Sequence, residues 1–124
     1  MTCSTEPDSN IVFIEFRPNL KVDLQGAREI VRNRLEFTGN KKHLLILDIT
    51  NVRQLSAEAK EFLQRPDSGL KNILAAAFTG SNPVAALIAN IFIKTPKTFH
   101  ARFFSSREAA VAWIEQYKTK VSIK

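Results

Sequence analysis

The chain has 124 residues, a formal net charge of +6, 44% hydrophobic and 24% charged side chains, and a single cysteine. That length suits one domain with a proper core, and the composition excludes a disordered, collagen-like or disulfide-stapled protein. Cys3 alone cannot form an internal disulfide, and the longest apolar stretch, Pro83 to Ile93, is too short for a bilayer-spanning helix, which needs about 20 residues.

Residues 1–10 open with polar side chains and no apolar signal segment, so a flexible lead with at most one short edge strand is expected, in a cytoplasmic protein. Ile11 to Phe16 is rich in branched and aromatic residues and predicts a strand. Pro18 and Asn19 end it. Asp23 then caps a helix in which Leu24, Ala27, Ile30, Val31 and Leu35 recur at helical spacing, and Gly39-Asn40 closes that helix. His43 to Asp48 is almost continuously apolar, as a central strand buried on both faces is. Ser56 caps a short helix, with Glu58 in its first turn and Ala59, Phe62 and Leu63 inward. Pro66-Asp67-Ser68-Gly69 is turn chemistry, and Asn72 to Phe78 is the third strand. Gly80-Ser81-Asn82-Pro83 stops that strand and starts a helix, with Asn82 as cap and Pro83 at the first helical position. Thr95-Pro96-Lys97 turns the chain into a fourth strand, about Thr98 to Phe104. Ser105-Ser106-Arg107-Glu108 has capping-box spacing for a last helix, about Ser106 to Tyr117, with Ala109, Ala110, Trp113, Ile114 and Tyr117 inward. A basic tail, 118–124, follows. The alternation predicts one α/β domain over 11–117: a mostly parallel sheet of four or five strands packed with about four helices.

The helix from Pro83 has almost no polar face. Val84, Leu87, Ile88, Ile91 and Phe92 surround it, and Asn90 alone interrupts them. One sheet layer cannot cover such a helix, so a neighbouring helix, a second subunit or an apolar ligand is expected against it. A twin subunit would make an isologous apolar patch. A ligand would occupy a pocket walled by this helix, with Phe78, Phe92 and Phe103 as lining.

Strand C-termini of a parallel sheet gather on one edge, where ligands commonly bind. Asp48, Thr50, Asn51, Thr79, Gly80, Ser81, Asn82, Ser105, Ser106 and Arg107 belong there. The helix starts at Asn82 and Ser106 offer free N–H groups suited to an anion, although any capped α/β domain carries the same residue types as caps. Catalytic signals are poor. His43 opens one strand and His100 lies in another, with no His or Cys spacing for a metal, so no metal, cofactor or enzyme activity is expected. Asp48 and His100 would form an acid–base pair if they met across the sheet, but a carboxylate capping a turn is the reading favoured for Asp48. The basic residues are scattered: Arg28, Arg32 and Arg34 on one helix, Lys41 and Lys42 in a turn, Lys118, Lys120 and Lys124 in the tail. Without interleaved aromatics they read as solvated faces, not a nucleic-acid site. The tail leaves weak contact with an acidic membrane open, at about 1 kcal/mol per basic residue.

A family resemblance rests on short motifs in order: Leu47-Asp48-Ile49-Thr50-Asn51-Val52, Ser56-Ala57-Glu58-Ala59, Ala75-Ala76-Ala77-Phe78, Ser81-Asn82-Pro83-Val84, Ile88-Ala89-Asn90-Ile91-Phe92, Arg102-Phe103-Phe104, Arg107-Glu108-Ala109-Ala110 and Ala112-Trp113-Ile114. From Ile11 to Ile114 the chain resembles the SpoIIAA-like superfamily, which groups STAS domains with relatives of the CRAL-TRIO lipid-binding fold. It looks most like a small bacterial branch of uncharacterised stand-alone members. The resemblance implies a non-enzymatic regulatory module that binds a protein partner or itself, as a homodimer. The alternative it implies is a binder of a small apolar or lipid-like ligand. Anti-sigma-factor antagonists of this superfamily carry a strand, an Asp, and a Ser at a helix start that a partner kinase phosphorylates. Asp48 corresponds to the strand-end aspartate. A gapless alignment puts Ser56, Ala57 and Glu58 on the Asp-Ser-Ser region, so the phosphoacceptor position holds Glu58, and Ser56 has the place of a helix cap.

Overall fold

Branched and aromatic runs alternate with capped helices along the chain, and the computed structural model shows what they build. It describes residues 1–5 and 9–122, with side chains through Lys118. Part of the expected lead, 6–8, and the tail side chains of Lys120 and Lys124 lie outside the described residues. The strands are β1 (Thr2–Ser4), β2 (Ile11–Glu15), β3 (Leu20–Val22), β4 (His43–Asp48), β5 (Val52–Leu55), β6 (Ile73–Thr79) and β7 (His100–Phe104). The helices are α1 (Leu24–Thr38), α2 (Ala57–Leu63), α3 (Pro83–Lys94) and α4 (Arg107–Ser122).

Five strands form one sheet in the order β1-β2-β4-β6-β7. β1 runs antiparallel to β2, and every other pairing is parallel. Successive residues of a strand face opposite sides. Thus Ile14, Leu45, Ala76 and Phe78 meet Ala27 of α1, Ala59 of α2, and Ile88 and Phe92 of α3 on one face. Ile11, Phe13, Leu44, Ile46, Ala75 and Ala77 meet Ala110 and Ile114 of α4 on the other. Three helices thus share one face and a single helix covers the other. The small side chains of Ala75 and Ala77 let α4 lie close enough to bury Ala110 and Ile114 completely.

The predicted caps hold: Asp23 Oδ1, Ser56 Oγ, Asn82 Oδ1 and Ser106 Oγ accept the N–H groups of Gly26, Ala59, Ala85 and Ala109. Other features depart from the sequence reading. β3 and β5 form a separate two-stranded parallel sheet. Polar Lys21, Arg53 and Gln54 hide them from a hydrophobic pattern, while Val22 and Val52 are buried in the core. Ala109 points outward, and Val111 packs against the core instead. α4 continues past Tyr117 to Ser122. The fold does not cover α3 on all sides: Ala85, Ile88, Ala89 and Phe92 are buried, but Leu87 is 68% and Val84 41% exposed.

Candidate functional site

Between the sheet and α1, α2 and α3 lies a cavity of about 90 Å³. Its walls include Ile14, Leu45 and Ala76 from the sheet, Val31 from α1, and Ile88 and Phe92 from α3. Phe78 and Phe92 stack on one side of it, centroids 5.8 Å apart and planes 16° from parallel. At the N-terminal edge of the strands a larger surface pocket of about 330 Å³ abuts it. The two share Leu70, Ile73, Lys97 and Phe99 as a common wall. The outer pocket adds Lys42, Asn72 and Thr98.

Arg34 also lines the inner cavity and is 3% exposed. Its Nη1 donates to Lys71 O at 2.8 Å and meets His43 Nε2 at 3.0 Å, and its Nη2 donates to Gly69 O and Ser68 O at 3.1 and 3.3 Å. His43 Nδ1 lies 2.9 Å from Lys41 O, and a carbonyl only accepts. The proton therefore sits on Nδ1, and Nε2 accepts from Arg34. Burial pushes His43 down to about 4, reinforced by the Arg34 charge and opposed by the bond to Lys41 O. Burial likewise lowers Arg34 to about 10. A buried cation without a carboxylate is expensive unless dipoles solvate it. Here the carbonyls of the 68–71 loop do so, which binds that loop to α1. Gly69 is required there, because a Cβ at this position would fall on the Leu63 backbone. Lys97 closes the far side: its Nζ donates to Ile93 O and Thr95 O at the end of α3, and burial lowers its pKa.

The opposite, C-terminal edge gathers part of the polar set expected there. Asp48 Oδ1 accepts from Thr50 N, Asn51 Nδ2 donates to Phe16 O, and Asn82 Nδ2 donates to Thr50 O. Together with the caps, these bonds tie loops and helix starts to one another. Ser56 and Glu58 stand apart at the start of α2, and no hydrogen bond joins them to this group. Ser81 and Ser105 are exposed beside it. Arg107 lies over the Phe13 ring at 4.3 Å and 3.9 Å from Glu15. Asp48 and His100 do not meet. Asp48 pairs in register with Thr79, whereas His100 pairs with Ala75, four residues down the same strand. That places them at opposite edges, separated by about 13 Å of strand rise. His100 faces the Tyr117 ring instead, at 5.8 Å. Among the described residues no group of three His, Cys, Asp or Glu side chains is placed to hold a metal ion. No helix among them is long and apolar enough to cross a membrane.

The sequence profile of a domain of unknown function, DUF7793, matches residues 5–118. The chain belongs to this family. A search of curated proteins gave no match. Among solved structures, this DUF7793 domain is similar to an uncharacterised protein of the DUF3478 family, with a SpoIIAA-like fold, from Shewanella loihica PV-4. The identity is 18%, the TM-score 0.60, and the match covers 91% of this chain and 90% of the other. The fold is thus SpoIIAA-like, as the resemblance implied.

The five apolar residues singled out on α3 divide between two surroundings. Ile88 and Phe92 wall the cavity, while Val84 and Leu87 face outward and Ile91 is half-buried. Phe103 does not line the cavity; it packs beside Gly80, where an added Cβ would collide with Ala85 Cβ. Sequence reasoning placed Arg34 on a solvated face and passed over Lys42 and Lys97 as site residues. The signal for Arg34 was its spacing, since it continues the Ala27–Val31 stripe by one turn. Lys42 and Lys97 gave none, because only the sheet order brings their loops to the two sides of the β6 start.

Proposed function

We propose that this domain is a non-enzymatic binding module that self-associates through the outer face of α3. The observation that carries the reading is Leu87, 68% exposed beside a 41% exposed Val84 on an otherwise apolar helix. Ile91 extends the strip along α3. A contiguous apolar strip open to water marks an interaction surface more often than scattered single side chains do. Two copies meeting across a two-fold axis would bury Leu87 against its own counterpart. Light scattering on size-exclusion fractions tests this. The expected result is a dimer at micromolar concentration that Leu87→Glu converts to a folded monomer. A wild-type monomer over the same concentration range overturns it.

A second reading, uptake of a small apolar ligand, is favoured by the cavity between the sheet and α1–α3. Roughly 300–1,000 Å³ is usual for a small-molecule site. The inner cavity of about 90 Å³ falls short alone, whereas the adjoining outer pocket of about 330 Å³ reaches that range. Native mass spectrometry of freshly purified protein supports this reading by a retained small-molecule mass. Such a mass surviving in a variant with a filled cavity counts against it.

A further inference from the structure

The inner cavity and the outer pocket differ in chemistry, and the difference has a direction. The inner space is walled by aliphatic and aromatic side chains. The outer one carries Lys42 and Lys97 at its margin, and Arg34 stands buried at the cavity wall behind them. Among the described residues the ion pairs are Arg65–Asp67 and Arg107–Glu15, so none of these three cations has a carboxylate within 4.0 Å. Arg34 and Lys97 are held by backbone carbonyls, which orient the cations but leave the charge uncancelled. Arg34 and Lys97 on the inner space, and Lys42 and Lys97 on the outer one, oppose a cationic guest and favour an anionic one. We propose that this N-terminal edge of the sheet is a binding site for a small amphipathic carboxylate. Its apolar chain passes between Leu70 and Phe99 into the inner cavity, and its head stays in the outer pocket with Lys42 and Lys97. The proposal rests on the ligand-binding reading above and adds the head-group chemistry, the entrance and the orientation. The site lies on the sheet edge opposite to the one the strand C-termini define.

Matched probes test it: octanoate, octanol and octylamine, titrated into the full chain and followed by calorimetry. Octanoate should bind about tenfold or more tighter than octanol, and octylamine weakest. Lys42→Gln with Lys97→Gln should weaken octanoate about tenfold and leave octanol unchanged. Because Lys97 also caps α3, Lys42→Gln alone is measured beside the pair; Lys42 is exposed and its loss spares the fold. Ala101→Leu, which fills the inner cavity from β7, should abolish binding of octanoate and octanol alike, with circular dichroism confirming a folded chain. If octanol binds as tightly as octanoate and the lysine variants change nothing, the carboxylate assignment is overturned while the ligand-binding reading stands. If no probe binds, or Ala101→Leu leaves binding intact, the proposal falls, and in the first case the ligand-binding reading falls with it.

Discussion

Acid should weaken this fold through His43. In the folded chain His43 is 2% exposed and its ring neutral, with Nε2 accepting from Arg34. Protonating Nε2 would remove that acceptor and set a second cation 3.0 Å from the guanidinium. Burial and the Arg34 charge hold the folded-state pKa at about 4, below the ordinary 6.5. Between those values the unfolded chain binds a proton that the folded chain refuses, so stability rises with pH across the window. The stabilisation is fully present above the unfolded value and is lost as pH falls toward the folded one. At about 1.4 kcal/mol per pH unit, this one group removes about 2 kcal/mol between about pH 7 and about pH 5, and about 3 kcal/mol by about pH 4. For a domain of this size that is a fall in Tm on the order of 10 °C. Urea unfolding at a series of pH values, on wild type and His43→Gln, isolates the contribution. Glutamine keeps one acceptor and one donor but does not titrate, so carboxylate contributions cancel in the difference between the two slopes. The variant is expected to start less stable and to lose less on acidification. Parallel loss in the two proteins would refute the neutral, Arg34-bound ring.

Gly69→Ala should destabilise by at least about 2 kcal/mol in urea unfolding, since the added methyl meets the Leu63 backbone and no side chain can yield. Arg34→Met should lose about 3 kcal/mol despite similar bulk, because it orphans the Lys71, Ser68 and Gly69 carbonyls; Arg34→Lys should recover only part, having no planar fork to reach all three. Asn82→Ala should lose about 1–2 kcal/mol, removing both the cap on Ala85 N and the bond to Thr50 O. Asn82→Asp keeps the cap and should fall between the two in the same assay.

Much of the framework was legible because its signals are local. The caps at Asp23, Ser56, Asn82 and Ser106 are read from one residue and the few after it. The unbroken apolar run from His43 fixed a central strand because only burial on both faces tolerates it. β3 and β5 escaped for the converse reason: strands this short, with Lys21, Arg53 and Gln54 among their few residues, carry too little pattern of their own. The pocket at the N-terminal strand edge escaped a sequence reading because its charged members sit in three distant segments. Arg34 lies on α1, Lys42 before β4 and Lys97 before β7.

The sequence by itself determined the four helices with their caps and the four strands β2, β4, β6 and β7 between them, and therefore a mostly parallel α/β sheet, since each depends on neighbours along the chain. Tertiary structure alone decided which side of α3 is dry and where the cavity opens. It also decided that Arg34 is buried among carbonyls. Those outcomes depend on which elements pack against each other, and beyond the Ala27–Val31–Arg34 spacing the chain's local chemistry carries little record of that until the sheet has placed them.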